Sequence, residues 1–217
     1  MKLRAVVVVL ALALMAAVAI GHSPTVSALP VTVTWTGNGA SNNWSDAGNW
    51  SPGVPLSGDR VVFPPSANRK TNTNNLAVNT TLSGFDITGS GYTISGNAVS
   101  LSGNLFHDAS GTNTVNLNLN GSAGIELNDG KLILAGNNSF NGSISISHGA
   151  IVALSDNALG STVRETDVDD DAALQVTGGV DIPEDVYIDG EVSDTGFNGD
   201  GQLQSLGGTN RIARVYL

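Results

Sequence analysis

Residues 130–154 read GKLILAGNNSFNGSISISHGAIVAL, and this stretch decides the fold. Apolar residues alternate with a serine in Ile144–Ile146, Leu132–Leu134 is a short apolar run, and Gly or Asn punctuates the segment between them. Successive side chains of a β-strand point to opposite faces, so this alternation predicts short strands with one buried face. The stretch therefore indicates an all-β structure built from short, glycine-bounded strands.

The same pattern recurs along the rest of the chain, and after residue 28 no stretch of 12 residues has the 3.6-residue apolar period of a helix. Each predicted strand has three to five residues. The predicted strands are Leu76–Val78, Phe85–Ile87, Tyr92–Ile94, Val99–Leu101, Val115–Leu119, Ile125–Leu127, Leu132–Leu134, Ile144–Ile146, Ile151–Leu154, Leu174–Val176 and Val186–Ile188.

Two all-β architectures fit these strands. Strands this short, joined by Gly, Ser and Asn, favour a parallel β-helix of roughly 20 to 25 residues per turn, in which each turn hydrogen-bonds to the previous one. An antiparallel β-sandwich is the alternative, because Asn-Gly and Asp-Gly pairs are typical of two-residue hairpins. Such pairs occur at Asn120-Gly121, Asp129-Gly130, Asn141-Gly142 and Asp189-Gly190.

Residues 1–28 have the layout of a signal peptide. Lys2 and Arg4 precede an apolar run of 16 residues, Ala5–Ile20, and small residues lie at Val26–Ala28. As a helix this run would measure roughly 24 Å, less than the roughly 30 Å of a bilayer core. We therefore expect export and removal of this segment, with no membrane span in the mature chain.

The composition of the remaining chain limits its partners. Without residues 1–28 it has 7 basic and 19 acidic residues, and it contains no cysteine. Binding to nucleic acid or to anionic lipid requires clustered Lys and Arg, so neither is expected. Without disulfides, stability must come from packing and main-chain hydrogen bonds.

All three tryptophans, Trp35, Trp44 and Trp50, lie in residues 29–65. This unit is predicted to cap one end of the repeat region, residues 66–217, because an open solenoid end exposes unpaired strand edges. A sugar-stacking aromatic platform is the alternative role. The sequence ends within what reads as a further turn, which indicates a repeat region truncated at its C-terminus.

Residues 130–154, together with the closing Ala158-Leu159-Gly160, resemble the autotransporter-associated β-strand repeat. That repeat likewise has an apolar alternation, a Gly-Asn step (Gly136-Asn137), an aromatic-x-Gly step (Phe140 to Gly142) and a second alternation. The resemblance implies a right-handed parallel β-helix at the cell surface or outside the cell, without catalytic residues. Asp171 stands where the next turn would be expected to have Gly.

Candidate chemical sites are few. The acidic run Asp167–Asp171 could supply oxygen ligands to calcium, but its spacing differs from that of an EF-hand loop. His107 and His148 are interpreted as surface turn residues, and His22 lies in the signal segment. Arg164 is the one candidate base for a polysaccharide lyase on a β-helix. We predict no catalytic, cofactor-binding or metal-binding residues.

The sequence thus predicts an exported, non-catalytic surface or extracellular β-helix that acts as a structural or adhesive, passenger-like module. A carbohydrate-binding module and a polysaccharide lyase are the alternatives. Surface glycans or other cell-surface proteins are the expected partners.

Overall fold

A computed structural model describes residues 29–189 and 202–217. This part of the chain consists of β-strands of 2 to 11 residues, turns and one 3-10 turn, η1 (Ala47–Asn49). In chain order the strands are β1 (Thr32–Trp35), β2 (Trp50–Ser51), β3 (Arg60–Phe63), β4 (Thr71–Asn74), β5 (Thr80–Leu82), β6 (Gly84–Ile87), β7 (Thr93–Gly96), β8 (Val99–Leu101), β9 (Leu105–Val115), β10 (Leu119–Gly121), β11 (Ile125–Leu134), β12 (Ile144–Ile146), β13 (Gly149–Ala153), β14 (Thr166–Val168), β15 (Ala172–Thr177), β16 (Asp181–Ile188), β17 (Leu203–Gly207) and β18 (Arg211–Tyr216).

The strands stack into a parallel β-solenoid of about six turns. One stack runs from β1 through β3, β6, β9, β11, β12, β14 and β16 to β18, and a second from β4 through β7, β9, β11, β13 and β15 to β17. A third, shorter stack contains β5, β8 and β10. Among the described residues only β1 and β2 pair antiparallel. The predicted parallel β-helix is therefore confirmed, and the antiparallel sandwich is wrong.

The register gives the length of a turn. Leu105 pairs with Ile125, which pairs with Ile144, so one circuit takes about 20 residues. Their side chains are 0–1% exposed and form an aliphatic ladder along the solenoid axis. Since each buried aliphatic side chain contributes about 1.5–3 kcal/mol, such ladders stabilise the stacking of the turns together with the main-chain hydrogen bonds.

Glycine is required where the chain turns a corner between two stacks. Gly149 has φ +101°, and a Cβ there would lie 2.1 Å from the main-chain oxygen of Gly130 in the preceding turn. Gly130 itself has φ +74° and lies inside β11, where the register shifts. The pair Asp129-Gly130 therefore forms a bend in one continuous strand, and not the hairpin that it resembles.

The second stack begins earlier than the apolar pattern predicts. The strand predicted at Leu76–Val78 is wrong, and strands lie instead at Thr71–Asn74 and Thr80–Leu82. In the first of these, the inward residues are Asn72 and Asn74, which are buried and polar. A pattern built on apolar residues cannot detect a strand whose inward side chains are amides.

One other predicted strand is divided. Val115–Leu119 was predicted as a single strand, but β9 ends at Val115 and β10 begins at Leu119. The intervening residues turn a corner, with Leu117 buried and its two asparagine neighbours exposed. Alternation thus continues through a corner as well as along a strand, which is why the sequence does not separate the two.

The tryptophan cluster packs inside the first turns. The centroid of the Trp44 ring lies 5.4 Å from that of Trp50 and 5.7 Å from that of Phe63. Beside this cluster, β2 covers the outer edge of β1, and Asn43 bridges to Thr73 on the outer edge of β4. The outer edge of the first strand in each long stack is thus covered by residues near the tryptophans.

At the other end, β17 pairs with β15 and β18 pairs with β16. Within residues 29–189 and 202–217, the remaining edges of β17 and β18 have no partner strand. The same part of the chain contains no helix long and apolar enough to cross a membrane. The predicted signal peptide, residues 1–28, lies outside the described residues.

Candidate functional site: an uncharged polar groove

Asparagine side chains from successive turns are joined along one corner of the solenoid. The Oδ1 atom of Asn118 accepts from the main-chain N–H of Asn137 at 2.8 Å, and Nδ2 of Asn157 donates to Oδ1 of Asn137 at 2.7 Å. All three side chains are exposed. Because stacked strands are about 4.8 Å apart, the corner presents amides at regular intervals along the axis. We call Asn118, Asn137 and Asn157 the asparagine ladder.

A buried asparagine connects the turns beneath this ladder. Asn138 is 4% exposed, its Oδ1 accepts from the main-chain N–H of Leu119 at 2.9 Å, and its Nδ2 donates to the carbonyl of Ala158 at 2.6 Å. One side chain therefore binds the turn before it and the turn after it. Buried amides stay this way only when they are hydrogen-bonded, so Asn138 fixes the spacing of these three turns.

A groove of about 530 Å³ opens beside the ladder. Gly160 is one of its lining residues, with φ +96°, and a Cβ there would come within 2.8 Å of the carbonyl oxygen of Phe140. This groove therefore has one lining position that favours glycine. We call it the polar groove; its lining residues are Asn137, Asn138, Ser139, Asn157, Gly160, Ser161 and Thr162.

The groove side chains are held by contacts to the neighbouring turns. Ser139 donates through Oγ to Oδ1 of Asn120 at 2.7 Å, and Ser161 donates through Oγ to Oδ1 of Asn141 at 2.8 Å. These bonds use the hydroxyl protons and leave lone pairs on both oxygens. The groove therefore offers hydroxyl acceptors and amide donors in fixed positions, without an ionisable side chain in its lining.

A second groove, of about 510 Å³, contains the lyase candidate Arg164. Glu165 lines the same groove, so a positive and a negative side chain lie next to each other there. None of the acidic residues Asp167–Asp171 is among its described lining residues. The structure therefore does not bring Arg164 and the acidic run together in one groove.

The acidic run is spread over a strand and a turn. Asp167 is on β14, while Asp170 and Asp171 are exposed in the turn that follows. Desolvation raises the pKa of Asp167, and the charges of Glu165, Asp189 and Asp169 raise it further. In residues 29–189 and 202–217 no group of three or more His, Cys, Asp or Glu side chains has an arrangement that could hold a metal ion.

His107 is not the surface turn residue that was predicted. It is fully buried on β9, where Nδ1 lies 2.9 Å from the carbonyl oxygen of Asp129 and Nε2 lies 2.9 Å from Nδ2 of Asn113. Because a carbonyl only accepts, Nδ1 carries the proton and Nε2 accepts from the amide. Burial lowers the pKa of His107, so the neutral ring is favoured. His148 is exposed, and His22 lies outside the described residues.

The tryptophans do not form an exposed platform for sugars. Trp35 and Trp44 are 0% exposed and Trp50 is 5% exposed. Each indole N–H has a partner: the carbonyl of Arg69, Oδ1 of Asn72 and the carbonyl of Trp44, respectively. Their arrangement is that of a hydrogen-bonded core, consistent with the capping role predicted from the sequence.

The sequence analysis did not identify one buried carboxyl group, that of Glu184. Glu184 is 2% exposed; Oγ1 of Thr166 donates weakly to its Oε2 at 3.4 Å, and its Oε1 has no hydrogen-bond partner among the residues that the structure describes. Burial raises the pKa of Glu184 to about 8, partly opposed by the hydroxyl of Thr166. The signal was the alternation of Ile182, Glu184, Val186 and Ile188, which places all four on one face of β16.

Comparison with known proteins adds no relative. No protein-family model matches the chain, and neither a curated protein nor a solved structure matches it.

Proposed function

We propose that this protein is an exported, non-catalytic module of a cell surface or of the extracellular space, and that it acts by structural support and adhesion. The layout of residues 1–28 supports export. The resemblance of residues 130–160 to the autotransporter-associated β-strand repeat supports a surface location. In the solenoid these residues make about one and a half turns, from the second half of β11 past β12 and β13 to Gly160.

The observation that carries the proposal is the asparagine ladder with its groove. Exposed amides at Asn118, Asn137 and Asn157 are locked by hydrogen bonds between turns, so they form a stiff, uncharged, hydrogen-bonding strip. A stiff strip loses little conformational entropy when another surface docks on it. Repetition along an axis also allows several weak contacts to act together, which is the physical basis of avidity.

The export step is tested by fusing residues 1–28 to a reporter enzyme that is active only outside the cytoplasm. We expect activity from this fusion and none from the same reporter fused to residues 29–56. The apolar run Ala5–Ile20 is the part of residues 1–28 that a translocation machinery would recognise. A reporter that stays in the cytoplasm with residues 1–28 attached would contradict export.

Adhesion is tested with beads coated with the purified chain and passed over layers of microbial or animal cells. We expect the coated beads to be retained under flow more strongly than albumin-coated beads on at least one surface, because many weak contacts act at once. Equal retention on every surface would contradict the adhesive part of the proposal. Export would then still be judged by the fusion experiment alone.

A further inference from the structure

We propose that the polar groove beside the asparagine ladder binds a neutral oligosaccharide. This inference rests on the proposed adhesive function, because it names the chemical class of partner that this surface recognises. Its occupant is an uncharged, polyhydroxylated chain that lies against Asn137, Asn157 and Thr162.

The hydrogen-bonding capacity of the groove matches sugar hydroxyls. The main-chain N–H and the Oδ1 of Asn137 are engaged in the ladder, while its Nδ2 has no partner among the described residues. Nδ2 of Asn157 donates one of its two protons to Asn137, which leaves the second proton and the Oδ1 atom for a ligand. Thr162 is exposed at the rim. A hydroxyl both donates and accepts, so sugar hydroxyls can satisfy this mixture of groups.

The side chains that line the groove disfavour both anionic and apolar ligands. None of the seven lining residues is ionisable, and the chain as a whole has a net charge of −10, which disfavours anionic ligands such as uronates or phosphates. The lining residues also have no large aliphatic side chain, so an apolar ligand would gain little by burial there. A neutral polar ligand fits both observations.

The size and stiffness of the groove are also suitable. A volume of about 530 Å³ lies within the roughly 300–1,000 Å³ of small-molecule sites. Among the lining residues, Asn138 is fixed by its bonds to Leu119 and Ala158, and the close approach of Phe140 leaves no room for a side chain at Gly160. Because these groups are already in place, a ligand does not have to order them when it binds.

The experiment measures binding of the full chain to soluble hexasaccharides by calorimetry and on an array. The neutral probes are cellohexaose, mannohexaose and N-acetylchitohexaose, and hexagalacturonate is the acidic probe. We expect at least one neutral probe to bind and the acidic one not to bind. Thr162→Val keeps the shape of the side chain but removes its hydroxyl, and Asn137→Ala removes the unused amide; each should weaken binding about tenfold.

Asn116→Ala is the matched control. Asn116 is an exposed corner asparagine with one side-chain bond to the neighbouring turn, from Nδ2 to Oγ of Ser95 at 3.2 Å, and it does not line the groove. Its replacement should leave binding unchanged. Circular dichroism and melting temperature of each variant establish that the solenoid is intact.

Three results would overturn the groove assignment: no probe binds, only hexagalacturonate binds, or Thr162→Val and Asn137→Ala bind as well as the parent. If the coated beads still adhere in any of these cases, the adhesive function stands and the groove is not its site. If the beads do not adhere but a neutral probe binds through Thr162, the groove stands and the adhesive function fails.

Discussion

At the scale of single residues, Glu184 shows how a titratable side chain can lie inside an otherwise aliphatic ladder. It alternates with Ile182 and Val186 on β16 and is 2% exposed, and in residues 29–189 and 202–217 its one hydrogen-bond partner is the Thr166 hydroxyl. Burying a carboxylate without a countercharge is costly, so the pKa of Glu184 is raised to about 8 and the protonated form is favoured below that pH. Part of the cohesion of the last turns therefore depends on pH.

We predict that the parent protein loses stability as the pH rises from 4.5 to 8, and that the Glu184→Gln variant does not show the part of this loss that comes from Glu184. The pKa of Glu184 is raised from 4.5 to about 8 in the folded chain. Its contribution is therefore fully present below pH 4.5 and is lost as the pH rises toward 8, since the unfolded chain releases this proton first. Since a difference of one in pKa corresponds to about 1.4 kcal/mol, the total is on the order of 5 kcal/mol.

Denaturant unfolding of both proteins at pH 4.5, 6 and 8 measures this effect. The glutamine variant should gain stability over the parent at pH 8 and show little difference at pH 4.5. The other carboxylates are common to both proteins, so the difference between the two curves isolates Glu184. Parallel curves would mean that the carboxyl group is already ionised, or hydrated, in the folded chain.

At the scale of strands and corners, glycine decides where the chain bends. Gly149 is a sharp case, because its φ of +101° is costly for any other residue and a Cβ would meet a main-chain oxygen. We predict that Gly149→Ala destabilises the protein by about 3 kcal/mol. Thermal and denaturant unfolding measure the change.

Gly53→Ala provides the comparison for this substitution. A Cβ at Gly53 would meet no atom within 4 Å, and its φ is not positive. We expect it to change the free energy of unfolding by less than about 0.5 kcal/mol. If both variants were equally stable, the corner at Gly149 would not be under the constraint described.

Strands were more predictable than corners. The alternation in Ile144–Ile146 identifies β12 because inward and outward positions differ in polarity. Asn120-Gly121 and Asp129-Gly130 were ambiguous, since a positive φ at the glycine suits both a hairpin turn and a bend in a solenoid. Strand β4 was missed because its inward residues are Asn72 and Asn74.

The polar groove could not be predicted from the sequence. It depends on Asn137, Asn157 and Thr162 meeting across two turns, and therefore on a register that no single-turn pattern specifies. Apolar alternation fixes which side chains point inward, but it does not fix which exposed side chains are stacked. The sequence supplied the asparagines, and only the stacking made them neighbours.

At the scale of the whole molecule, the tryptophan cluster anchors the first turns. We predict that Trp44→Ala costs about 3–5 kcal/mol, because it removes a fully buried ring and leaves Oδ1 of Asn72 without its donor. In a solenoid each turn contacts only its neighbours, so the damage should stay near the tryptophans.

Hydrogen exchange measured by mass spectrometry reports where this damage occurs. Protection should fall in β1 to β7 and persist in β11 to β15. Leu56→Ala serves as the control, since Leu56 is 59% exposed near the same end. Uniform loss of protection along the chain would show that the solenoid unfolds as one cooperative unit.

The orientation of the main-chain hydrogen bonds between turns has a mechanical consequence. In the long stacks they run along the solenoid axis, from β9 to β11 and from β11 to β13, so a pull between the two ends loads the turns in series. The molecule should then lengthen in discrete steps, one coil at a time, each releasing about 20 residues or roughly 70 Å of chain. Such a molecule yields to a pulling force in several small steps, which is useful for a tether on which a flowing liquid pulls intermittently.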